Sequence, residues 1–168
     1  MTSAILNVEG LTLGTKQGRI VHQLSFHVNR GEIVALTGTS GSGKTSIALA
    51  ILDLLPSGIK LHEGTIRWST DSQSELMLPA DTALWRSLRG SHIGYIQQDI
   101  FGAFDPVMTM GQQMLMVISE RTGRVDSDFD QELRMKMEEV GLHETERLFT
   151  SYPHQLSGGQ LQRCQIAM

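Results

Sequence analysis

Read for its apolar spacing, the chain has a β-patterned first half and a helix-patterned second half. Ile5 to Leu13 alternates in short steps, with Gly10 as a break. Leu24, Phe26 and Val28 alternate with Ser25, His27 and Asn29, the mark of a half-exposed strand. Arg30-Gly31 predicts the turn that follows. Ile33 to Thr37 is a near-continuous β-rich run and predicts a strand buried on both faces. Thr45 to Leu55 predicts a helix that stops at Pro56-Ser57-Gly58. Thr65 to Trp68 predicts another short strand, Ser69 to Leu78 a polar loop, and Ile93 to Ile96 a strand ending in Gln97-Gln98-Asp99.

Near residue 100 the texture changes. Met108 to Ile118 is Met-rich and helical. Phe129, Leu133, Met137 and Val140 form one face of a second helix, closed by Gly141. Leu142 to Phe149 predicts a third, short helix, and the last ten residues begin another at a Ser-Gly-Gly cap. No internal repeat or low-complexity tract interrupts this order.

Composition narrows the picture without changing it. The 168 residues suffice for one ordinary domain with a core. A net charge of −4 argues against a nucleic-acid binder, whose interacting face is basic. The single cysteine, Cys164, cannot form an internal disulfide and fits a reducing compartment as a small packed residue. The N-terminus MTSAILNVEG lacks the basic flank and apolar core of a signal peptide. The longest strongly apolar run, Ile47 to Leu55, is broken by Asp53 and falls short of the ~20 residues a membrane span needs. The expectation is a cytosolic chain that meets a membrane only through a partner.

Two stretches carry chemistry. Gly38-Thr39-Ser40-Gly41-Ser42-Gly43-Lys44-Thr45 fits G-x-x-x-x-G-K-[ST], between the run ending at Thr37 and the helix that follows. Glycines allow the positive-φ conformations that turn successive N–H groups inward, and the helix end adds positive potential, so the loop predicts an oligophosphate cradle. Lys44 places a cation on the outer phosphates. Thr45 offers a hydroxyl to Mg²⁺, and Ser46 is placed to orient the same corner. The second stretch is Leu156-Ser157-Gly158-Gly159-Gln160. Ser157 can cap a helix and still offer a hydroxyl outward, and the two glycines admit a phosphate to bare backbone N–H groups.

With these two stretches, Ile96-Gln97-Gln98-Asp99 and the continuation Leu161-Gln162-Arg163, the chain resembles the ATP-binding subunits of ATP-binding cassette (ABC) transporters over essentially its whole length. The resemblance implies an α/β P-loop NTPase (ABC ATPase) fold with an N-terminal antiparallel β part and a helical subdomain. The expected divisions are a nucleotide-binding core over 1–98, a helical subdomain over 99–155, and the signature with the start of its helix over 156–168. It implies ATP and Mg²⁺ as ligands. Gly38, Thr39, Ser40, Gly41, Ser42, Gly43, Lys44, Thr45 and Ser46 would line one phosphate site, and Ser157, Gly158, Gly159 and Gln160 the other. Lys44 and Gln98 are the implied catalytic groups, and Thr45 and Gln98 the implied Mg²⁺ contacts; Gln97 is the neighbouring candidate for the Q-loop position.

In this family the P-loop of one subunit and the signature of its partner close over one ATP. One chain offering two phosphate-binding helix ends agrees with that logic. The implied partners are a second ABC ATPase subunit, identical or related, transmembrane permease subunits and a solute-binding protein, with no nucleic acid. The implied location is the inner face of the cell membrane, reached through the permease. Phe101, Phe104, Met108 and Met110 read equally as a contact for the membrane partner and as subdomain core.

Two strings, QQDIFGAFDPVMTMGQQM and YPHQLSGGQ, are similar to the peptide and nickel importer branch. A metal role for His154 is outweighed by a structural one in a loop before a helix cap. The family's adenine-stacking aromatic has no counterpart at Leu13-Gly14-Thr15. Its Mg²⁺-binding Asp, catalytic Glu and switch His would all fall beyond Met168. The C-terminal part of the core is therefore expected to be missing, and the piece alone to bind nucleotide weakly and hydrolyse it slowly or not at all. Rival readings are a non-transport ABC-type ATPase, a small P-loop kinase or GTPase, and a non-hydrolysing nucleotide-binding module.

Overall fold

The computed structural model describes residues 4–69, 75–79, 82–123 and 127–168. They form two compact units, residues 1–93 and 94–168. The first holds β1 (Ala4–Thr15), β2 (Gly18–Asn29), α1 (Lys44–Ile51), β3 (Lys60–Ser69), β4 (Glu75–Leu78) and α2 (Thr82–Leu88). The strands make one antiparallel sheet in the order β2-β1-β3-β4.

The break read at Gly10 has a clear consequence in β1. Leu6 and Val8 are buried, and so are Leu11 and Leu13. That series changes parity, and a regular strand would send the second pair to the opposite face. Gly10, at φ +58°, absorbs the extra residue, and both ladders of β1 shift register there. Gly64 of β3 crosses the bulge at φ +95°; a Cβ there would lie 2.5 Å from the Glu9 carbonyl oxygen. Thr12, fully buried, accepts a hydrogen bond from the Gln23 amide at 3.2 Å and donates to the Gly10 carbonyl at 3.4 Å.

The half-exposed strand and the turn at Arg30-Gly31 form as read. Helix α1 is shorter than its apolar pattern and ends at Ile51. Asp53 adopts φ +54°, its amide bonds the Ala50 carbonyl at 3.0 Å, and the Leu54 amide reaches back to Leu49 at 2.8 Å. These two bonds are a Schellman motif, which closes the helix before the proline. Buried Trp85 of α2 donates its Nε1 hydrogen to the Ile51 carbonyl at 2.8 Å.

Three expectations fail in this unit or at its edge. The stretch read as one polar loop contains β4, whose Met77 and Leu78 pair with Arg67 and Ile66; residues 70–74 lie outside the described ones. The run Ile33 to Thr37 is not a strand and is not buried. Ile33 is 97% exposed, Val34 and Leu36 38% each. A strand buried on both faces needs a hydrogen-bonded neighbour, and no described strand pairs with this one. Ile93 to Ile96 likewise holds only an isolated bridge, between Ile93 and Arg89.

The second unit is helical: α3 (Met110–Thr122), α4 (Ser127–Glu139), α5 (Thr145–Thr150) and α6 (Gly158–Ala167), with short 3₁₀ turns at Phe101–Ala103 and Pro153–Gln155. Met110, Met114 and Ile118 of α3 and Leu133 and Met137 of α4 share one core with Leu142, Leu148, Leu161 and Cys164, α3 packing on α5 and α4 on α6. Leu133, Met137 and Val140 sit as their spacing predicts; the side chain of Phe129 lies outside the described residues. Gly141, at φ +77°, closes α4 with a second Schellman motif, Leu142 amide to Met137 and Gly141 amide to Glu138, both 2.9 Å. The third helix starts at Thr145, later than its apolar pattern.

Replacing Gly64 by alanine should lower unfolding stability by about 3 kcal/mol or more, because the methyl meets backbone and the φ is strained. Denaturant melts monitored by circular dichroism check this; an unchanged midpoint would contradict the close crossing at the bulge.

Candidate functional site

The glycine loop adopts the conformation its residues predict. Gly38, Gly41 and Gly43 take φ of +155°, +80° and +90°, and Gly43 is the N-cap of α1 in the left-handed region. The loop closes on itself through the Ser42 amide and the Thr39 carbonyl, 3.2 Å apart. A Cβ on Gly38 would sit 2.8 Å from Ser42 Oγ, and one on Gly43 2.8 Å from Val21 Cγ2, so the turn has no room for side chains at either place.

Lys44 folds back over this loop. Its Nζ donates to the carbonyls of Gly38 at 2.9 Å and Thr39 at 2.8 Å, and to Ser42 Oγ at 3.4 Å. The ammonium thereby ties two loop carbonyls and a loop hydroxyl together. Among the described residues the amides of Gly41, Gly43, Lys44, Thr45 and Ser46 have no hydrogen-bond partner, nor do the hydroxyls of Thr45 and Ser46. Five bare amides, a cation and two free hydroxyls at a helix start fit an oligophosphate with its divalent cation.

The second stretch is built differently. Ser157 caps α6 through a capping box: its Oγ accepts from the Gln160 amide at 3.3 Å, and Gln160 Oε1 accepts from the Ser157 amide at 2.9 Å. The Ser157 hydroxyl also donates to Gln160 Oε1 at 3.1 Å, so its hydrogen is turned inward. Offering it outward requires that bond to open. The amides of Gly158 and Gly159 have no partner among the described residues, and a Cβ at either would meet nothing within 4 Å. No described residue packs where a side chain at Gly158 or Gly159 would stand.

Gln98 lies in an irregular, exposed segment of the second unit and makes no hydrogen bond among the described residues; Gln97 beside it is half-buried. Of the apolar quartet, Phe104 and Met110 belong to the core, Met108 is half-buried and Phe101 is 56% exposed. His154 stacks on Tyr152 with ring centroids 5.6 Å apart. Leu13 and Gly14 are buried, Thr15 is half-buried, and none of the three is aromatic.

Sequence reasoning missed Gln113. It is 5% exposed, its Oε1 accepts from the Asp105 amide at 2.7 Å, and its Nε2 donates to the carbonyls of Asp105 at 2.9 Å and Met108 at 3.0 Å. One carboxamide thus fixes the loop between the Phe101 turn and α3. A polar residue at the second of two glutamines, on the face shared with Met110 and Met114, was the available signal.

Comparison with known proteins places these sites in context. A family model described as ABC transporter matches residues 21–168. The chain is 33% identical over 168 residues to the nickel import ATP-binding protein NikD of Pseudomonas putida, covering 100% of this chain and 61% of that protein. It is 35% identical over 173 residues to the uncharacterized ABC transporter ATP-binding protein YejF of Escherichia coli, covering 100% of this chain and 32% of that protein. It is 36% identical over 149 residues to the oligopeptide transport ATP-binding protein OppD of Mycobacterium bovis, covering 88% of this chain and 24% of that protein. The chain therefore spans between 24% and 61% of the length of these relatives. In fold it is similar to the ATP-binding cassette MJ0796, solved as a dimer in a post-hydrolysis state bound to ADP and Pi. There the TM-score is 0.77 at 24% identity, over 96% of this chain and 67% of that one.

Cys164 is a packed residue, as its context suggests. It is 0% exposed, and burial pushes its thiol up to about 11, a backbone hydrogen bond pulling weakly the other way. A raised value means that the folded state holds the proton more tightly. The associated stability is complete below about pH 9 and is lost as pH rises toward about 11. Thiol labelling of the native chain at pH 8 should be far slower than in denaturant; equal rates would show that the thiol is not enclosed.

Proposed function

The chain belongs to the ABC transporter family, and from that premise we propose that it is the ATP-binding part of a subunit that energises solute import. The observation that carries this reading is the pair of bare amide nests, one at Gly41 to Ser46 and one at Gly158-Gly159. Each is a helix start with positive potential and unspent donors, and each is suited to phosphate oxygens.

The first nest takes the triphosphate of ATP. Lys44 leaves the loop carbonyls for the phosphate oxygens, a more strongly charged acceptor. Thr45 would hold Mg²⁺, which would supply charge neutralisation at the phosphates, and Gln98 is a further Mg²⁺ contact by the family's pattern alone. Lys44 would stabilise the charge that develops on the transferred group, and Gln98 takes the water-orienting role by the family's pattern alone. The second nest serves the nucleotide of another subunit, identical or related. The glycines at 158 and 159 leave room for that approach, and the family's paired arrangement gives both nests a use. A permease on the membrane's inner face and a solute-binding protein are the further partners in this reading. The relatives' names, nickel import and oligopeptide transport, support nickel, peptides or similar solutes as cargo.

Two variants separate the nests. Lys44→Ala should weaken binding of a fluorescent ATP analogue at least about tenfold. Ser157→Arg should leave that affinity within about twofold while abolishing ATP-dependent pairing with the partner subunit on size-exclusion chromatography. Equal loss of binding in both variants would mean that one nest, not two, meets nucleotide.

A further inference from the structure

Helices α3 and α6 both start with a capping box closed by a glutamine, and the two boxes differ in one bond. At α3, Thr109 Oγ1 accepts from the Gln112 amide at 3.4 Å, and Gln112 Oε1 accepts from the Thr109 amide at 3.0 Å. The Thr109 hydroxyl donates to nothing among the described residues. At α6 the same two bonds close at 3.3 and 2.9 Å, and a third is added, from the Ser157 hydroxyl to Gln160 Oε1 at 3.1 Å. The third bond is therefore not a requirement of the cap.

That bond decides what the start of α6 offers to an anion. A hydroxyl has one hydrogen, and Gln160 holds this one; the lone pair left over on Ser157 Oγ is an acceptor, of no use to a phosphate oxygen. The carboxamide cannot turn round without loss. The Ser157 amide is a donor, so it needs Oε1 and not Nε2 facing the cap. The Gly158 and Gly159 amides have no such competitor among the described residues. Ser157 is exposed, so its hydroxyl can rotate outward about one torsion while the helix start stays in place.

We infer that Gln160 is a positioning residue for Ser157, holding its hydroxyl inward until a strongly charged oxygen takes the hydrogen. A phosphate oxygen is a stronger acceptor than a neutral carboxamide, so the hydroxyl turns to it, while the Ser157 amide keeps Gln160 where it is. The hydroxyl then contributes only the difference between two acceptors, whereas the two glycine amides give up no bond within the protein. The inference rests on the reading that the start of α6 meets phosphate.

Inorganic tripolyphosphate, titrated into the full chain and followed by backbone amide shifts, tests this at each nest separately. Shifts at Gly158 and Gly159 report the start of α6, and those at Gly41 to Ser46 report the glycine loop. At the start of α6, Gln160→Met removes the competing acceptor and should tighten binding about threefold; Ser157→Ala should weaken it by about the same factor. Adding Gln160→Met to Ser157→Ala should change nothing further, because no hydroxyl remains to be released. A Gln160→Met variant that binds no tighter than the unaltered chain, or a gain that persists without the hydroxyl, overturns the inference. If Gln160→Met melts early, the side-chain amide resonances of Gln160 decide. They should move with tripolyphosphate in the unaltered chain and stay in place in Ser157→Ala; movement in both, or in neither, is the contrary result. Absence of saturable shifts at Gly158 and Gly159 would remove the underlying reading as well. Saturable shifts there without a gain in Gln160→Met would leave that reading standing and end the inference alone.

Discussion

A helix cannot satisfy the N–H groups of its own first turn, and the starts of α1 and α6 are among those whose amides lack partners among the described residues. Many amides elsewhere in the fold find partners in ladders, caps and turns. At the start of α1 five amides have no partner among the described residues, and Lys44 bonds two of the loop carbonyls. At the start of α6 the capping box meets two donors and leaves those of Gly158 and Gly159. The functional reading follows from where these donors remain unspent.

The surrounding structure sets the direction of those helix starts. The bulge at Gly10 keeps one face of β1 buried through a change of parity, and Val21 and Ile20 of β2 pack close against Gly43 at the loop's end. Schellman closures at Asp53 and Gly141 end α1 and α4 sharply, and the Trp85 indole meets one of the last carbonyls of α1. The Gln113 clamp performs a comparable task before α3. Each device converts a short stretch of irregular backbone into a defined one by giving its polar groups named partners.

Exposed apolar residues mark where the described chain leaves surface unpaired. Ile33, Val34 and Leu36 stand in water beside the glycine loop, and Phe101, Val107 and Met116 do so in the helical unit. Isolated apolar side chains on a surface are ordinary. A run of them without a ladder is not, because both the side chains and the N–H and C=O groups remain open to another strand.

Local features were legible in the sequence. The glycine spacing of the loop, the Ser157 cap, the Gly141 stop and the period of Leu133, Met137 and Val140 each depend on a few neighbouring residues, and the structure has them as read, although the Ser157 hydroxyl turns to Gln160 rather than outward. Features that depend on distant partners were not. β4 forms because β3 is beside it, α1 stops early because Asp53 turns left-handed and Trp85 reaches its end, and the apolar run at 33–37 stays outside the sheet because no described strand hydrogen-bonds to it. Nor could spacing tell that Phe104 is enclosed while Phe101 is exposed, or that the Ser157 hydroxyl points to Gln160. Residue types and spacing determined which backbone groups could be freed to meet phosphate; tertiary packing alone decided which strands found partners and which side chains were buried, because both depend on contacts between residues far apart along the chain.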